Sequence, residues 1–223
     1  MALKSVKKYL NWFRLEISLE LTTRKLMMSS TIQSAAFVLL MFQGIMDPVS
    51  ETWITFFWLI ILFASISGLY RSFLSNTRST QLYLYQLFTP FDYYILRVVT
   101  NFIYIVVLSV LCLILLWVFY GSIPVSIPGF MLLILAGSLG FAALFTFTGA
   151  LASTSQSAGV LLPLLSIPLL IPLLMILFTA TKQLVIGSEQ DPITLELLLI
   201  FALDLLYLLP GLFLFPHLWA DPN

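Results

Sequence analysis

Residues 159–181 read GVLLPLLSIPLLIPLLMILFTAT, and this stretch decides the class of protein to which the chain belongs. Its 23 residues contain no charged side chain. Because an α-helix rises 1.5 Å per residue, a helix of this length crosses the hydrocarbon core of a bilayer, which is about 30 Å thick. The sequence therefore predicts a transmembrane helix here and a membrane protein overall.

The same stretch carries three prolines, Pro163, Pro168 and Pro172. In a soluble helix each proline removes a hydrogen bond and costs about 3 kcal/mol. In a membrane such breaks are tolerated where neighbouring helices or a water-filled cavity satisfy the freed carbonyls, here those of Gly159, Leu164 and Pro168 itself. Two interpretations stay open: a kinked helix with a structural role only, and a bend that shapes a path or a moving interface.

Composition supports the membrane assignment across the whole chain. Of its 223 residues, 61% are hydrophobic and 9% are charged. Soluble domains carry about 25% charged residues, so a soluble domain of this size is excluded. Ten basic residues balance ten acidic residues, and we expect no nucleic-acid partner. The single cysteine, Cys112, lies in an apolar run and excludes an intramolecular disulfide.

Hydropathy predicts six spans in a single transmembrane domain of all-α class. They are expected at residues 30–46, 52–70, 93–120, 130–152, 158–181 and 193–216. Trp53, at the start of the second span, is expected in an aromatic belt at the membrane surface. Gly137, Gly140 and Gly149 in the fourth span are expected to allow close contact between helices. We expect no cleavable signal peptide, because the first apolar run begins near Leu26 behind a polar segment.

An amphipathic segment precedes the first span, at residues 3–25. Its apolar residues recur at steps of four and three, which puts them on one helical face: Val6, Leu10, Phe13, Ile17 and Leu21. The segment also carries six basic residues: Lys4, Lys7, Lys8, Arg14, Arg24 and Lys25. This pattern predicts an interfacial helix that lies on an anionic cytoplasmic leaflet.

The basic residues also predict the orientation of the chain. With a cytoplasmic N-terminus, that segment together with Arg71, Arg78 and Arg97 puts nine of the ten basic residues on the cytoplasmic side. Only Lys182 then lies outside. Because cytoplasmic loops carry an excess of lysine and arginine, we expect both termini in the cytoplasm.

The chain offers few residues for chemistry, and no nucleotide-binding GxxxxGK[ST] motif, HExxH motif or cysteine–histidine cluster occurs. We therefore expect no enzymatic activity, no metal site and no bound cofactor. Asp204, near the middle of the sixth span, is the exception, because a carboxylate is costly there and usually faces the bundle interior or water. Three interpretations stay open: a protonated carboxyl hydrogen-bonded to another helix or a partner subunit, a direct role in a transport path, and a misplaced span boundary.

Residues 71–92, RSFLSNTRSTQLYLYQLFTPFD, form the predicted cytoplasmic connection between the second and third spans. The segment is richer in aromatic and aliphatic groups than a simple loop needs. One interpretation is a short helix on which a soluble motor protein docks, and the other is a loop that packs on the membrane. The candidate docking residues are Arg71, Arg78, Leu82, Tyr85, Phe88 and Asp92.

The pattern resembles an ABC-2-type transporter membrane subunit and, more specifically, the CcmB family of cytochrome c maturation. The GVLLP sequence at 159–163 and IPLLIPLL at 167–174 are similar to the family stretch GVLLxxLxLPLxIPLLIF. The LYRSF sequence at 69–73, together with Thr89-Pro90 and the ILRV sequence at 95–98, resembles the family's loop and the start of its third span. The chain departs from the family pattern in having no carboxylate in the loop before Asp92.

The resemblance implies a permease subunit for haem export or delivery in c-type cytochrome biogenesis, in the bacterial inner membrane. It implies two copies of the chain bound to ATPase subunits resembling CcmA, which use the ATP. Further implied partners are a haem-handling membrane protein resembling CcmC, a small helper resembling CcmD and a haem chaperone resembling CcmE, with haem as the possible substrate. The alternatives are an exporter subunit for a lipid, polysaccharide or drug, and a non-transporting scaffold of the maturation complex.

Overall fold

The computed structural model describes residues 24–45, 50–74, 89–121, 127–153, 158–186 and 193–220. All regular structure in these ranges is helical. The helices are α1 (Arg24–Gly44), α2 (Ser50–Leu74), α3 (Pro90–Tyr120), α4 (Ile127–Ser153), α5 (Ala158–Ile186) and α6 (Thr194–Ala220). The prediction of an all-α protein is confirmed.

Four helices in the described ranges are long and apolar enough to cross a membrane. Their apolar parts are Pro90–Tyr120, Ile127–Ala152, Val160–Val185 and Thr194–Pro216. Helix α2 carries a shorter apolar stretch, Thr52–Gly68. These helices confirm a multi-pass membrane protein, whereas the two predicted spans at 30–46 and 52–70 stay predictions.

Helix α1 begins at Arg24, six residues before the predicted first span. Its 21 residues extend about 31 Å, which matches the thickness of a bilayer core. Two of the polar side chains that lower its hydropathy, Ser30 and Ser34, are buried in the bundle, and the Ser34 hydroxyl donates to the Ser30 carbonyl at 2.9 Å. The predicted interfacial helix at 3–25 lies outside the described residues, except for its last two residues, which belong to α1.

Helix α4 occupies the centre of the bundle. It packs against α2, α3, α5 and α6, while α1 lies at the side and contacts α2 and α3. All five residues from Phe141 to Phe145 are fully buried. The small residues of α4, Gly137 and Gly140 among them, let the neighbouring helices pack closely around it.

The glycines of α4 let its neighbours approach closely. A Cβ atom on Gly137 would lie 2.9 Å from Leu177 of α5 and 3.0 Å from Trp58 of α2. A Cβ atom on Gly140 would lie 2.9 Å from Leu173, one turn before Leu177 on α5. The prediction of close helix contact at these two glycines is confirmed.

An aromatic cluster fills the space between α2 and α4. Trp53 stacks on Phe57 with ring centroids 5.7 Å apart, and Phe57 contacts Phe130 at 5.0 Å. The indole of Trp58 donates to the Thr181 hydroxyl of α5 at 3.0 Å. The Trp53 side chain is 2% exposed, because the rings of Phe57 and Phe130 cover it, so it packs inside the bundle. Its depth at the membrane surface stays a prediction.

Helix α3 begins with a defined cap. Thr89 is the N-cap, and its hydroxyl accepts a hydrogen bond from the Asp92 N–H at 3.3 Å. Pro90 occupies the first turn, where a missing N–H costs nothing. The cap starts α3 three residues before the predicted span at 93–120, directly at the end of the 71–92 segment.

We predict that Gly137→Ala lowers the free energy of unfolding by about 1–3 kcal/mol, because the added methyl group overpacks the contact with Leu177 and Trp58. Gly44→Ala is the matched control, since nothing lies within 4 Å of the position that its Cβ would take. Unfolding of both variants in mixed detergent micelles measures the difference. Equal stability of the two variants would contradict the close packing of α4.

Candidate functional site

The structure describes only some of the candidate docking residues predicted from the sequence. Arg78, Leu82, Tyr85 and Phe88 lie outside the described residues, so their docking role stays a prediction. Arg71 lies in the last turn of α2, and its side chain is likewise outside the description. Asp92 is half-buried in the first turn of α3. The docking segment therefore joins the end of α2 to the capped start of α3.

Arg97 lies two turns into α3 and is 7% exposed. Its Nε donates to the Tyr93 hydroxyl at 3.1 Å, and its guanidinium carbon lies 5.5 Å from the centre of the Tyr93 ring. The Tyr93 ring stacks on Phe215 of α6 at 5.8 Å. Arg97, which counted among the basic residues that predict the orientation, thus takes part in the contact between α3 and the C-terminal part of α6.

One turn beyond Arg97, a buried amide connects α3 to α4. Asn101 is 2% exposed, and its Nδ2 donates to the Thr146 hydroxyl at 2.8 Å. The Thr146 hydroxyl donates in turn to the Ala142 carbonyl of its own helix at 2.6 Å. This contact gives the buried amide a partner inside an apolar bundle.

On another side of α4, a pair of hydroxyls connects it to α5. The Thr148 and Ser166 hydroxyl oxygens are 2.9 Å apart, and either can be the donor. Both side chains are fully buried. Ser166 lies between Pro163 and Pro168, so this contact reaches α5 within its proline-containing part.

Helix α6 binds the backbone of the same part of α5. The Tyr207 hydroxyl donates to the Leu169 carbonyl at 2.7 Å. Leu169 directly follows Pro168, whose own carbonyl loses its helical partner because Pro172 has no N–H. The three contacts Asn101–Thr146, Thr148–Ser166 and Tyr207–Leu169 are referred to below as the polar cross-links.

The polar cross-links are weak. Hydrogen bonds between transmembrane helices contribute about 0.6 kcal/mol on average, with a maximum near 1.7 kcal/mol. All three together then amount to about 2 kcal/mol, which is small beside the packing of the bundle. They fix the relative positions of α3, α4, α5 and α6. Because each is weak, these hydrogen bonds can still break and re-form with other partners when the helices move.

The prolines of α5 turn away from the described helices. The helix continues through all three, and Pro168 and Pro172 are exposed while Pro163 is half-buried. Ile171 and Met175 on the same side are 54% and 64% exposed. Since the carbonyl freed by a proline lies beside its ring, the freed carbonyls lie on this surface, which we name the proline face. Within the described part of the chain, no neighbouring helix covers it.

Asp204 lies inside α6 and within its apolar stretch Thr194–Pro216, so the boundary of the sixth span does not account for it. The residue is 3% exposed and turned toward α4. Its Oδ1 would lie 2.5 Å from a Cβ atom on Gly140. Among the described residues Oδ1 has no hydrogen-bond partner, so the expected hydrogen bond to another helix is not formed by this atom.

The chain can be assigned to a known protein family. Among the described residues, no group of three or more histidine, cysteine, aspartate or glutamate side chains could hold a metal ion. The family model described as CcmB protein matches residues 7–218. The chain belongs to the CcmB family. At the level of the family, this is a membrane subunit of a haem-exporter ABC transporter and not the ATPase of that complex. A search of curated proteins and of solved structures found no match to the chain.

Most members of the polar cross-links escaped the sequence analysis of this CcmB-family chain. Asn101, Thr146 and Thr148 are polar residues within long apolar runs, and Tyr207 lies one turn after Asp204. Polar residues within spans mark functional positions more often than surface ones do, so this signal could have identified them. Which helix each of them contacts could not be read from the sequence.

We predict that Tyr207→Phe lowers the free energy of unfolding by about 0.6 kcal/mol and at most about 1.7 kcal/mol. The Leu169 carbonyl loses its side-chain donor from α6, so amide hydrogen exchange should rise near residue 169, where α5 is already short of hydrogen bonds. Tyr120→Phe is the matched control, because it removes a similar hydrogen bond to the Ile45 carbonyl at another place. If amide hydrogen exchange in α5 were unchanged in Tyr207→Phe, the stabilising hydrogen bond from α6 to α5 would be refuted.

Proposed function

We propose that this CcmB-family subunit couples ATP hydrolysis by a partner subunit to release of a haem-loaded chaperone, or to haem translocation, in c-type cytochrome biogenesis. The observation that carries the proposal is the set of polar cross-links. They connect α3, which begins at the end of the docking segment, through α4 to the proline-containing part of α5 and to α6.

The order of the contacts gives a route for a movement. Closure of the ATPase subunits displaces the docking segment and with it the start of α3 at Thr89. Asn101, three turns into α3, transmits the displacement to α4 through Thr146, and Thr148 transmits it to Ser166 of α5. Helix α5 yields there, because Pro168 and Pro172 have removed the hydrogen bonds that would resist bending.

The proposed partners rest on the family to which the chain belongs. Family membership supports a Ccm complex with an ATPase partner. We infer CcmA-like ATPase subunits, a CcmC-like haem-handling protein, a CcmD-like helper and a CcmE-like chaperone, with no cofactor held by this chain. Family membership is the ground for placing the chain in the bacterial inner membrane, and the distribution of its basic residues supports both termini in the cytoplasm.

A second copy of the chain is proposed to cover the proline face. The freed carbonyls of Leu164 and Pro168 are costly in hydrocarbon, because lipid tails offer no hydrogen-bond donor. The chain's own described helices leave Pro168 and Pro172 exposed. A homodimer with α5 at its centre removes this face from lipid and brings the two weakened helices together.

Affinity purification of the tagged protein from native membranes, followed by mass spectrometry, tests the proposed function directly. Recovery of an ATPase and a CcmC-like haem protein is the expected result. Recovery of an ATPase alone would favour an exporter of a lipid, polysaccharide or drug. Absence of any ATPase would refute the transporter assignment and favour a scaffold.

We predict that combined replacement of Leu82, Tyr85 and Phe88 by alanine abolishes most of the holocytochrome c formed, because it separates the motor from α3. Val107→Ala is the control, since its side chain is 56% exposed on α3 and lies outside the docking segment. Haem-stained cytochrome and the amount of membrane-inserted subunit are measured in both strains. Normal cytochrome levels despite loss of coupled ATPase activity would identify a scaffold instead.

We predict that Met175→Cys forms disulfide-linked dimers in native membranes under mild oxidation, because the proline face is the contact between two copies. The variant is made in a Cys112→Ala background to remove the native buried thiol. Val118→Cys serves as the control, because it is 63% exposed on α3. Equal cross-linking at the two positions would argue against a dimer through α5.

A further inference from the structure

The polar cross-links leave one buried ionisable group of α6 unused, Asp204. It lies one turn before Tyr207 and near the centre of a 27-residue helix. Its side chain is 3% exposed, and Oδ1 is fully enclosed without a hydrogen-bond partner among the described residues. Burying a carboxyl group within a membrane span costs free energy, so packing alone does not account for an aspartate at this position.

The site around Asp204 is shaped for a carboxyl group. Helix α4 contributes Gly140, and any larger residue there would meet Oδ1, since a Cβ atom would stand 2.5 Å from it. Leu173 of α5 packs on the same glycine and closes the site beside it. The carboxyl therefore lies at the meeting point of α4, α5 and α6, with apolar surroundings.

The charged and titratable groups of the neighbouring helices do not neutralise a carboxylate at this place. Helix α4 has no such group. Lys182 and Glu196 belong to the far ends of α5 and α6, where Glu196 accepts a hydrogen bond from Gln183 at 2.8 Å. The hydroxyl of Tyr207 donates to the Leu169 carbonyl.

The remaining candidates belong to α3, and they lie near its beginning or beside other partners. Asp92, Tyr93 and Arg97 occupy its first two turns, and Tyr94 packs against Gly211 of α6, two turns beyond Asp204. Tyr104 packs against Gly68 of α2. Cys112 and Tyr120 follow in the second half of α3.

We propose that Asp204 is a proton-binding site that holds a proton while α6 packs on Gly140 and releases it when α6 moves and admits water. In the release step the carboxyl O–H bond breaks, the electron pair stays on the carboxylate, and the proton passes to water. The movement rests on the proposed function, whereas proton binding in the packed state stands without it. Asp204 thus links the position of α6 to a proton.

The test uses the complete complex in lipid nanodiscs and the hydrophobic reagent dicyclohexylcarbodiimide, which adds to protonated carboxyl groups. The O–H of the acid adds across one C=N bond of the reagent to give an O-acylisourea, whose acyl group then moves from oxygen to the neighbouring nitrogen. The resulting stable N-acylurea is detected by mass spectrometry of the α6 peptide. Labelling is compared over a pH series and between nucleotide-free and vanadate-trapped complexes. Asp204→Asn identifies the labelled position, and Glu196 on the same helix is the reference carboxyl.

We predict that labelling of Asp204 falls as pH rises, by about tenfold per pH unit once most of the acid is ionised. Its pH profile should be displaced from that of Glu196, because the apolar site favours the neutral acid. Labelling should also change severalfold on trapping. Gly140→Ala should alter the labelling of Asp204, because the added methyl group displaces the carboxyl. Gly137→Ala should leave the labelling unchanged, because its methyl group meets Leu177 instead. This pair separates an effect on the site from a general effect of filling a glycine on α4.

Absence of label at Asp204, or labelling that follows Glu196 at every pH, would overturn the proton-binding site. Labelling that depends on pH but is equal in both nucleotide states would overturn the release step. The pH series on the nucleotide-free complex needs no cytochrome and no ATP turnover. Failure of the proposed function would therefore appear in cytochrome formation, and failure of the proton site would appear in the labelling.

Discussion

Every backbone carbonyl in hydrocarbon needs a donor from the protein, and the rest of this structure depends on how α5 meets that requirement. Its three prolines leave the helix short of donors over a few turns. On the inner side, Tyr207 donates to the Leu169 carbonyl and Ser166 is bound by Thr148, which holds the helix beside the breaks without supplying the freed carbonyls themselves. On the outer side, Pro168 and Pro172 are exposed. Among the described residues, helix α5 is thus supported on one side only, and the other side is the face for which we propose a second copy.

The bundle combines a rigid part with a part that can be rearranged. Large aromatic rings, such as Phe57 and Phe130, and leucine side chains seated on glycines fill the space around the first half of α4. The second half of α4 instead carries hydroxyls that bind Asn101 and Ser166. Close packing resists change, whereas hydrogen bonds of about 0.6 kcal/mol can be exchanged one by one. A movement that enters at the start of α3 therefore meets the exchangeable part first.

Asp204 belongs to the boundary between these two parts. Its carboxyl occupies the space that Gly140 leaves open, and its neighbour Tyr207 holds α5. Separation of α6 from α4 would expose the acid and strain the Tyr207 contact together, because both residues are on one face of α6. In the proposed mechanism, a single turn of α6 thus couples the proton on Asp204 to the support of the weakened helix α5.

The sequence by itself determined the membrane class, the helices and the family, because these depend on properties that lie along one chain: apolar length, charge asymmetry and the proline spacing of residues 159–181. It also marked Asp204 as unusual. Tertiary structure alone decided that Trp53 is buried, that Asn101 meets Thr146 and that Gly140 makes room for Asp204. Lipid and apolar side chains are chemically alike, so hydropathy cannot tell which side of a span faces its neighbours. Only the packing of the helices against one another does that.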